Sequence, residues 1–372
     1  MIKENKTRPL FHPSFGSRPA RIVGRDKEID DFMIGLEMPI GSYERCTFFT
    51  GQRGMGKTAL LQELADRAVE RNYVVALVTA YASMTDDIIE TIQRNGAGFI
   101  PAEKKRIQGI DAGAFGFSFG LTFSEAAQTQ LGFRSKLTLL CDRLAESGKG
   151  ILILVDEAKT SDEMRQLAIT YQHLVGEDKN IAIAMAGLPQ AVSGVLNDKV
   201  LTFLNRAKKV HLGCINQNEI YAYYRKAFKL LDIDYEDDNM HKAASATKGL
   251  PYMMQLIGYY MEKFASDKKI TGDVVEAAIK AATRDLERNV FEPILNPLSD
   301  NDYNFLCAMS KDTGDSKMSD IGKRLGKSNS YLQPYRARLI DAGIIESKRT
   351  GEVTFAVPYI AEYLREKQDV QM

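Results

Sequence analysis

Cysteine and histidine are scarce, and their spacing excludes most metal chemistry. Cys46, Cys141, Cys214 and Cys307 lie too far apart for a CxxC knuckle or a dense disulfide framework. Buried, reduced thiols are the expectation for all of them. His12, His173, His211 and His241 include no HExxH or similar short-range ligand pair. Net charge is missing too. With 49 Lys+Arg against 49 Asp+Glu, the molecule as a whole is not drawn to nucleic acid or anionic lipid, so any such contact must come from a local patch. No run of about 18 apolar residues occurs, and the opening MIKENKTRPL carries charges where a signal peptide needs an apolar core. These absences predict a soluble, cytoplasmic chain with no membrane partner.

What is there is ordinary globular usage: 372 residues, 44% hydrophobic and 26% charged, enough for two or three compact units. Residues 1–22 hold Pro9, Pro13, Pro19 and Gly16, which favour an extended arm. Six basic residues against one acidic between Met1 and Arg25 make it basic, and a solvated leader is its simplest reading. From Asp26 the spacing of Ile29, Phe32, Met33 and Leu36 predicts a helix ending before Pro39. Short apolar runs follow at 46–50, 73–80, 151–158, 181–187 and 208–213, separated by helical periodicity. Such strands alternating with helices predict a doubly wound α/β core on a parallel sheet. One stretch departs from this pattern. Phenylalanine and glycine alternate in AGAFGFSFGLTF, within an insertion at 109–123 that reads as a flat hairpin or an adaptable surface.

Between the first strand and its helix stands Gly51-Gln52-Arg53-Gly54-Met55-Gly56-Lys57-Thr58, a full GxxxxGK[ST] match. A phosphate chain needs several backbone N–H groups turned inward at once. Gly51, Gly54 and Gly56 give that freedom, and the following helix directs the positive end of its dipole at the anion. Lys57 is placed for the terminal phosphates and Thr58 for Mg²⁺. The loop through Ala59 is therefore the candidate ATP site. The strand ILILV closes on Asp156 and Glu157, at the carboxyl edge where doubly wound folds bind ligands. Asp156 is the second candidate magnesium residue, and Glu157 the candidate base for the attacking water.

After residue 214 the pattern becomes helical, with Gly249 and Pro251 at a junction and a long helix expected over 274–295. The last segment reads helix, helix, helix, strand, turn, strand, helix, the order of a winged helix-turn-helix. Between Ser316 and Arg349 eight basic residues face Asp320, Asp341 and Glu346. Lys327, Ser328, Asn329, Ser330, Gln333, Arg336, Lys348 and Arg349 are the candidate DNA contacts. Winged helices also serve protein contact, which keeps a protein partner open.

Taken together, VGRDKEIDDF, GQRGMGKT, ILILVDEA and the terminal module resemble the AAA+ P-loop ATPases, in particular the origin-recognition-like branch and its archaeal-type and signalling relatives. The resemblance implies a nucleotide core at 23–214, a helical lid with its connecting helix at 215–295 and a winged helix at 296–372. It also implies that Val23, Gly24 and Arg25 lie on the adenine side. Arg206, before the last core strand, takes the place of an arginine finger reaching a neighbouring subunit, which implies a nucleotide-dependent homo-oligomer. Two positions depart from the family pattern. Where a polar sensor is expected after the fourth strand the chain has Ala186 and Gly187, and where a lid arginine is expected it has Tyr252. The expectation is therefore slow hydrolysis of ATP to ADP and phosphate, with nucleotide acting as a switch on DNA contact. The alternative is a signalling switch whose terminal module and Phe/Gly insertion bind protein. A metabolic kinase fits the phosphate loop but not the lid and terminal module.

Overall fold

The structure, a computed structural model, describes residues 9–13, 19–99, 117–119, 121–123 and 125–371. By its internal contacts the chain divides into two compact units. One holds Arg25–Gly51 and Lys57–His211; the other holds the residues up to Gly24, the loop Gln52–Gly56 and everything from Leu212 onward.

The first unit is built on β1 (Cys46–Thr50), β2 (Tyr73–Thr79), β5 (Gly150–Asp156), β6 (Ile181–Gly187) and β7 (Lys208–His211), between which a small hairpin supplies β3 (Phe117–Phe119) and β4 (Thr122–Phe123). The five long strands form one parallel sheet in the order β2-β5-β6-β1-β7. Every residue of β5 and β6 is buried, as a parallel sheet covered on both faces requires of continuous apolar runs. The covering helices are α1 (Asp26–Glu37), α2 (Lys57–Val69), α3 (Met84–Gly96), α4 (Glu125–Gln130), α5 (Phe133–Ala145), α6 (Asp162–Gly176) and α7 (Pro189–Leu196). Ile88 and Ile92 of α3, Leu137 and Leu140 of α5, and Leu167 of α6 pack on Ile151, Ile153 and Ile183 of the sheet. α6 starts where the Ser161 side chain accepts from the Met164 N–H at 3.1 Å, a cap worth about 1 kcal/mol.

The strand order places β1 between β6 and β7, so the chain reverses its winding there and opens a crevice at the carboxyl ends of the strands. In register, Thr50 stands beside both Gly187 and His211, and Thr79 beside Asp156. At the opposite edge the buried Arg45 donates to Met38 O at 3.1 Å and to the Tyr73 hydroxyl at 2.9 Å, and it also meets Asn180 Oδ1. Gly150 is required beside this knot, because a Cβ there would stand 2.6 Å from Asn180 Nδ2 and 2.7 Å from the Tyr73 ring.

The Phe/Gly stretch is antiparallel where it is described, pairing β3 with β4. Leu121 and Phe123 are buried in the core, so this end of the insertion packs structurally; residues 109–116 lie outside the described residues. Of the cysteines, Cys46 and Cys141 are buried, but Cys307 is half-buried and Cys214 exposed. The expectation of four buried thiols is corrected at those two positions, since Cys214 follows β7 in a connection rather than an element.

In the second unit the helices are α8 (Gln217–Leu230), α9 (Asp237–Ala246), α10 (Pro251–Phe264), α11 (Gly272–Leu286) and α12 (Glu292–Leu295), with a short parallel pair, β8 (Asp234–Tyr235) and β9 (Lys269–Ile270). The helix expected over 274–295 begins two residues earlier and widens into a π turn over Glu287–Phe291. Pro293 explains the turn: it has no N–H to give the carbonyl four residues back, and its ring would clash with it.

The C-terminal module follows the expected order: α13 (Asp300–Ser310), α14 (Met318–Leu325), α15 (Asn329–Asp341), β11 (Ile345–Arg349), β12 (Glu352–Phe355) and α16 (Ile360–Gln371), with β10 (Ser316–Lys317) as an unpredicted third strand. The sheet runs β10-β12-β11, antiparallel. Phe305, Leu332, Leu339, Ile345, Val353 and Leu364 are buried at its centre.

The arm differs from its expectation as well. Far from being a solvated leader, the described part buries Phe11 on the unit's helices, and the Tyr223 hydroxyl donates to Leu10 O at 2.7 Å.

Candidate nucleotide site

The predicted site residues are divided between the two units. In the first, β1 delivers the chain to Gly51 and α2 opens at Lys57, as a strand-loop-helix phosphate motif requires. Lys57 is buried and donates to Gly51 O at 2.9 Å. Thr58 donates its hydroxyl to Asp156 Oδ2 at 2.5 Å. The loop's lysine and threonine and the acidic strand end are thus brought to one place. Asp156 also accepts from the Glu157 N–H at 2.9 Å, and Glu157 takes φ +54° with its side chain exposed. A left-handed non-glycine residue costs about 1–2 kcal/mol, and here it turns the chain sharply off the strand. Ala59 is half-buried in the first turn of α2.

The absence of a side chain at Gly187 has a steric reason. Gly51 N–H donates to Gly187 O at 3.3 Å, and Ala158 N–H to Ala186 O at 2.7 Å. A Cβ on Gly187 would stand 2.8 Å from Ala158 O and 3.2 Å from the Val192 side chain. Main chain fills the place where another side chain would project.

In the second unit the loop tip folds back through Gly54 and Gly56, both at φ +79°, whereas Gly51 stays outside the left-handed region. A Cβ on Gly54 would lie 3.3 Å from Leu250, and one on Gly56 3.9 Å from Pro251, the first residue of α10. Met55 and Gln52 are buried and Arg53 is exposed. Gln52 Nε2 donates to Glu346 Oε2 on β11 at 3.3 Å. Val23 is buried, and Gly24 at φ +68° leaves no room for a side chain, with Ile215 2.6 Å and Glu219 2.8 Å from the Cβ it lacks. Tyr252 is half-buried on α10. The Lys248 Nζ lies 2.6 Å from Glu362 and 4.0 Å from the centre of the Tyr359 ring, both close to or on α16.

Two further predicted residues lie in the first unit. Arg25 is buried at the head of α1, where its carbonyl accepts from Ile29 N–H at 3.0 Å. Arg206 is exposed at the end of a 3₁₀ turn, two residues before β7, and Lys208 pairs with Asp31 at 3.6 Å.

The candidate DNA contacts fall in the turn before α15, on α15 and on β11. Lys327, Ser328, Asn329, Ser330, Gln333, Lys348 and Arg349 are exposed. Ser328 is also the helix cap, accepting from Tyr331 N–H at 3.2 Å. Arg336 donates to Ser347 Oγ at 2.8 Å, and Lys348 pairs with Glu346 at 3.2 Å. At least four of the eight counted cations are in ion pairs within the module, Lys323 with Asp320 at 3.4 Å and Lys348 with Glu346 among them. Arg324 binds Asp312 together with Ala308 O, and Arg338 binds both oxygens of Asp302 at 2.9 and 3.1 Å.

Reasoning from sequence missed three features: the Gln52–Glu346 bond, the blocked place at Gly187 and the docking of Phe11. Only the last left a trace, in Gly258. A glycine inside a strongly helical stretch marks a close approach.

Comparison with protein families matches residues 21–181 to the AAA ATPase domain. Residues 21–181 form an AAA ATPase domain. That segment is the chain's ATPase domain, and the chain has the AAA+ P-loop fold. Residues 288–364 match a second family, described as a domain of unknown function. Among solved structures the AAA+ chain resembles the Walker-type ATPase PABY2304 of Pyrococcus abyssi, at 17% identity over 96% of this chain and 99% of that one, with a TM-score of 0.69. It resembles the ORC2 protein of Aeropyrum pernix, solved as ADPNP-ADP complexes, at 14% identity over 96% of each chain and a TM-score of 0.61. Cdc6p from Pyrobaculum aerophilum aligns over 96% of this chain and 97% of its own, at 17% identity and a TM-score of 0.52. At these identities the likeness is one of fold. Comparison with curated proteins finds no match. Among the described residues no helix is long and apolar enough to cross a membrane, and no group of three or more His, Cys, Asp or Glu could hold a metal.

Proposed function

We propose that this ATPase is a slow nucleotide switch. It binds ATP with Mg²⁺, hydrolyses it to ADP and phosphate, and passes the state of the site to DNA through its C-terminal module, which acts as a winged helix. The working division is a core at 23–214, a lid with its connecting helix at 215–295 and the winged helix at 296–372. Backbone amides of residues 51–58 receive the phosphates, Lys57 meets the terminal ones, and Val23, Gly24 and Arg25 face the adenine. Thr58 and Asp156 suit Mg²⁺, a cation that takes a hydroxyl, a carboxylate and phosphate oxygens rather than an all-protein cage. When bound, the ion would neutralise charge on the phosphate oxygens. Glu157 orients the attacking water and takes its proton.

The observation that carries slow turnover is the main chain packed against Gly187. It denies that place to a polar side chain, while Tyr252 stands at the lid position and Lys248 is held by Glu362. Donors aimed at the developing charge are worth several kcal/mol in the transition state, and two of them are wanting. Steady-state and single-turnover phosphate release test the reading. Turnover below about 1 per second is expected of the isolated protein, under the range of about 1–100 per second of efficient phosphoryl-transfer enzymes. A faster rate would end the switch.

A second reading, that the module recognises protein, is favoured by the capture of Arg324 and Arg338 in internal ion pairs and by the exposed Tyr331 on α15. Anisotropy on duplex DNA with and without ATP separates the two. DNA contact should weaken steeply from about 50 to about 200 mM salt as counterions are released; salt-insensitive or absent binding favours a protein partner. In the same scheme Arg206 serves a neighbouring subunit, which a nucleotide-dependent change in size-exclusion mass would support.

A further inference from the structure

The second unit holds two elements of the proposed site against the leading ends of two helices. Gly24 lies on Ile215 and Glu219, at the start of α8, and the loop tip lies on Leu250 and Pro251, at the start of α10. Farther along, the same two helices share one wedge. The Phe11 ring, 2% exposed, stands 5.7 Å from the Tyr223 ring and 5.2 Å from the Phe228 ring of α8. On the other side it presses on α10 at Gly258, where a Cβ would come within 2.2 Å of the ring. Hydrogen bonds fix the segment in this seat. The His12 N–H donates to Gln255 Oε1 at 3.0 Å on α10, and Tyr223 of α8 donates to Leu10 O at 2.7 Å.

We propose that Phe11 is a positioning residue for nucleotide binding: the aromatic wedge sets the spacing of α8 and α10, and thereby holds Val23 and Gly24 in place for the base. This rests on the reading above that those residues face the adenine. Four to nine residues separate Glu219 from Tyr223 and Phe228, about 6–14 Å at 1.5 Å per residue. Over that distance a rigid helix carries a change at the wedge to the base element. A close-packed contact does not relax into the space a missing ring would leave without moving its neighbours. Gly258 and Phe11 form a complementary pair, since any side chain on the helix would expel the ring.

The test compares two ligands on the full chain by calorimetry: Mg·ATP, which has a base, and Mg·tripolyphosphate, which has none. In Phe11→Ala, ATP affinity is expected to fall about tenfold, which is about 1.4 kcal/mol, with tripolyphosphate within about twofold of the parent. Phe11→Leu, which refills most of the volume, should restore most of the ATP affinity. Tyr223→Phe removes the hydroxyl that holds Leu10 and also bonds Gln255, and keeps the measurement available should Phe11→Ala fold poorly; it should weaken ATP by a few-fold and spare tripolyphosphate. Unchanged ATP affinity in both variants would overturn the proposal, leaving the wedge a purely structural contact. Equal losses for both ligands would overturn it as well, because the wedge would then support the whole unit rather than the base side. A parent chain that binds tripolyphosphate as tightly as ATP would sink the adenine reading itself, and the wedge proposal with it.

Discussion

The ends of β5 and β6 are neighbours in one sheet and treat the phosphate edge in opposite ways. β5 stops on Asp156, which accepts from Thr58, and then turns through a left-handed Glu157. β6 stops on Gly187, whose missing side chain leaves room for Ala158 O. One strand end projects charge; the other admits only backbone. The two are physically linked, because Ala158, the residue packed on Gly187, directly follows Glu157. The turn that presents the acidic side chain is therefore what fills the neighbouring place. A side chain at position 187 and this form of the β5 turn compete for the same volume.

The contrast is best broken by substitutions at the strand ends and at the groups around them. Lys57→Ala should have the largest effect, weakening ATP by about a hundredfold or more through loss of a buried charge-assisted donor; unchanged affinity in a binding titration would remove the phosphate loop from the scheme. Glu157→Gln should keep ATP binding and lower turnover by about 10²-fold or more, and comparable single-turnover rates would show that the β5 end is not catalytic. Gly187→Ser should lower stability by about 1–3 kcal/mol, read as a reduced midpoint in urea. If this variant were fully stable and hydrolysed ATP faster, the two strand ends would not compete. Lys248→Ala should have the smallest effect, about 0–1 kcal/mol of stability for a partly exposed ion pair and turnover within about twofold. A marked fall in turnover would make Lys248 a substitute sensor.

Much of this was legible in the chain. The sheet could be read because a parallel strand covered on both faces must be apolar throughout, and ILILV and IAIAMA are. The phosphate loop could be read because its chemistry needs glycine, lysine and threonine at fixed intervals, and Lys57, Thr58 and Asp156 do converge. Less legible was whatever depends on distant partners. Nothing near Gly187 in sequence announces Ala158 O, and a count of basic residues does not reveal that Asp302 and Asp312 hold two of them. The π turn at 287–291 had a local cause in Pro293, yet periodicity alone reads straight through it. Composition pointed the wrong way for the arm. Its prolines and cations describe an extended, polar segment, and the one aromatic that decides its place is a single residue in that background.

Tyr223, whose hydroxyl holds the Leu10 carbonyl, has one further consequence. Burial pushes this phenol up to about 12, with the nearby Arg21 charge pulling it partway back. It stays protonated, and so remains a donor, across the whole interval near pH 6 in which a phosphate monoester loses its second proton. The clasp on the arm is consequently indifferent to acidity over the range where the nucleotide itself changes charge. A titration of ATP affinity between pH 6 and 8 would report on the ligand and the groups that meet it, not on the clasp.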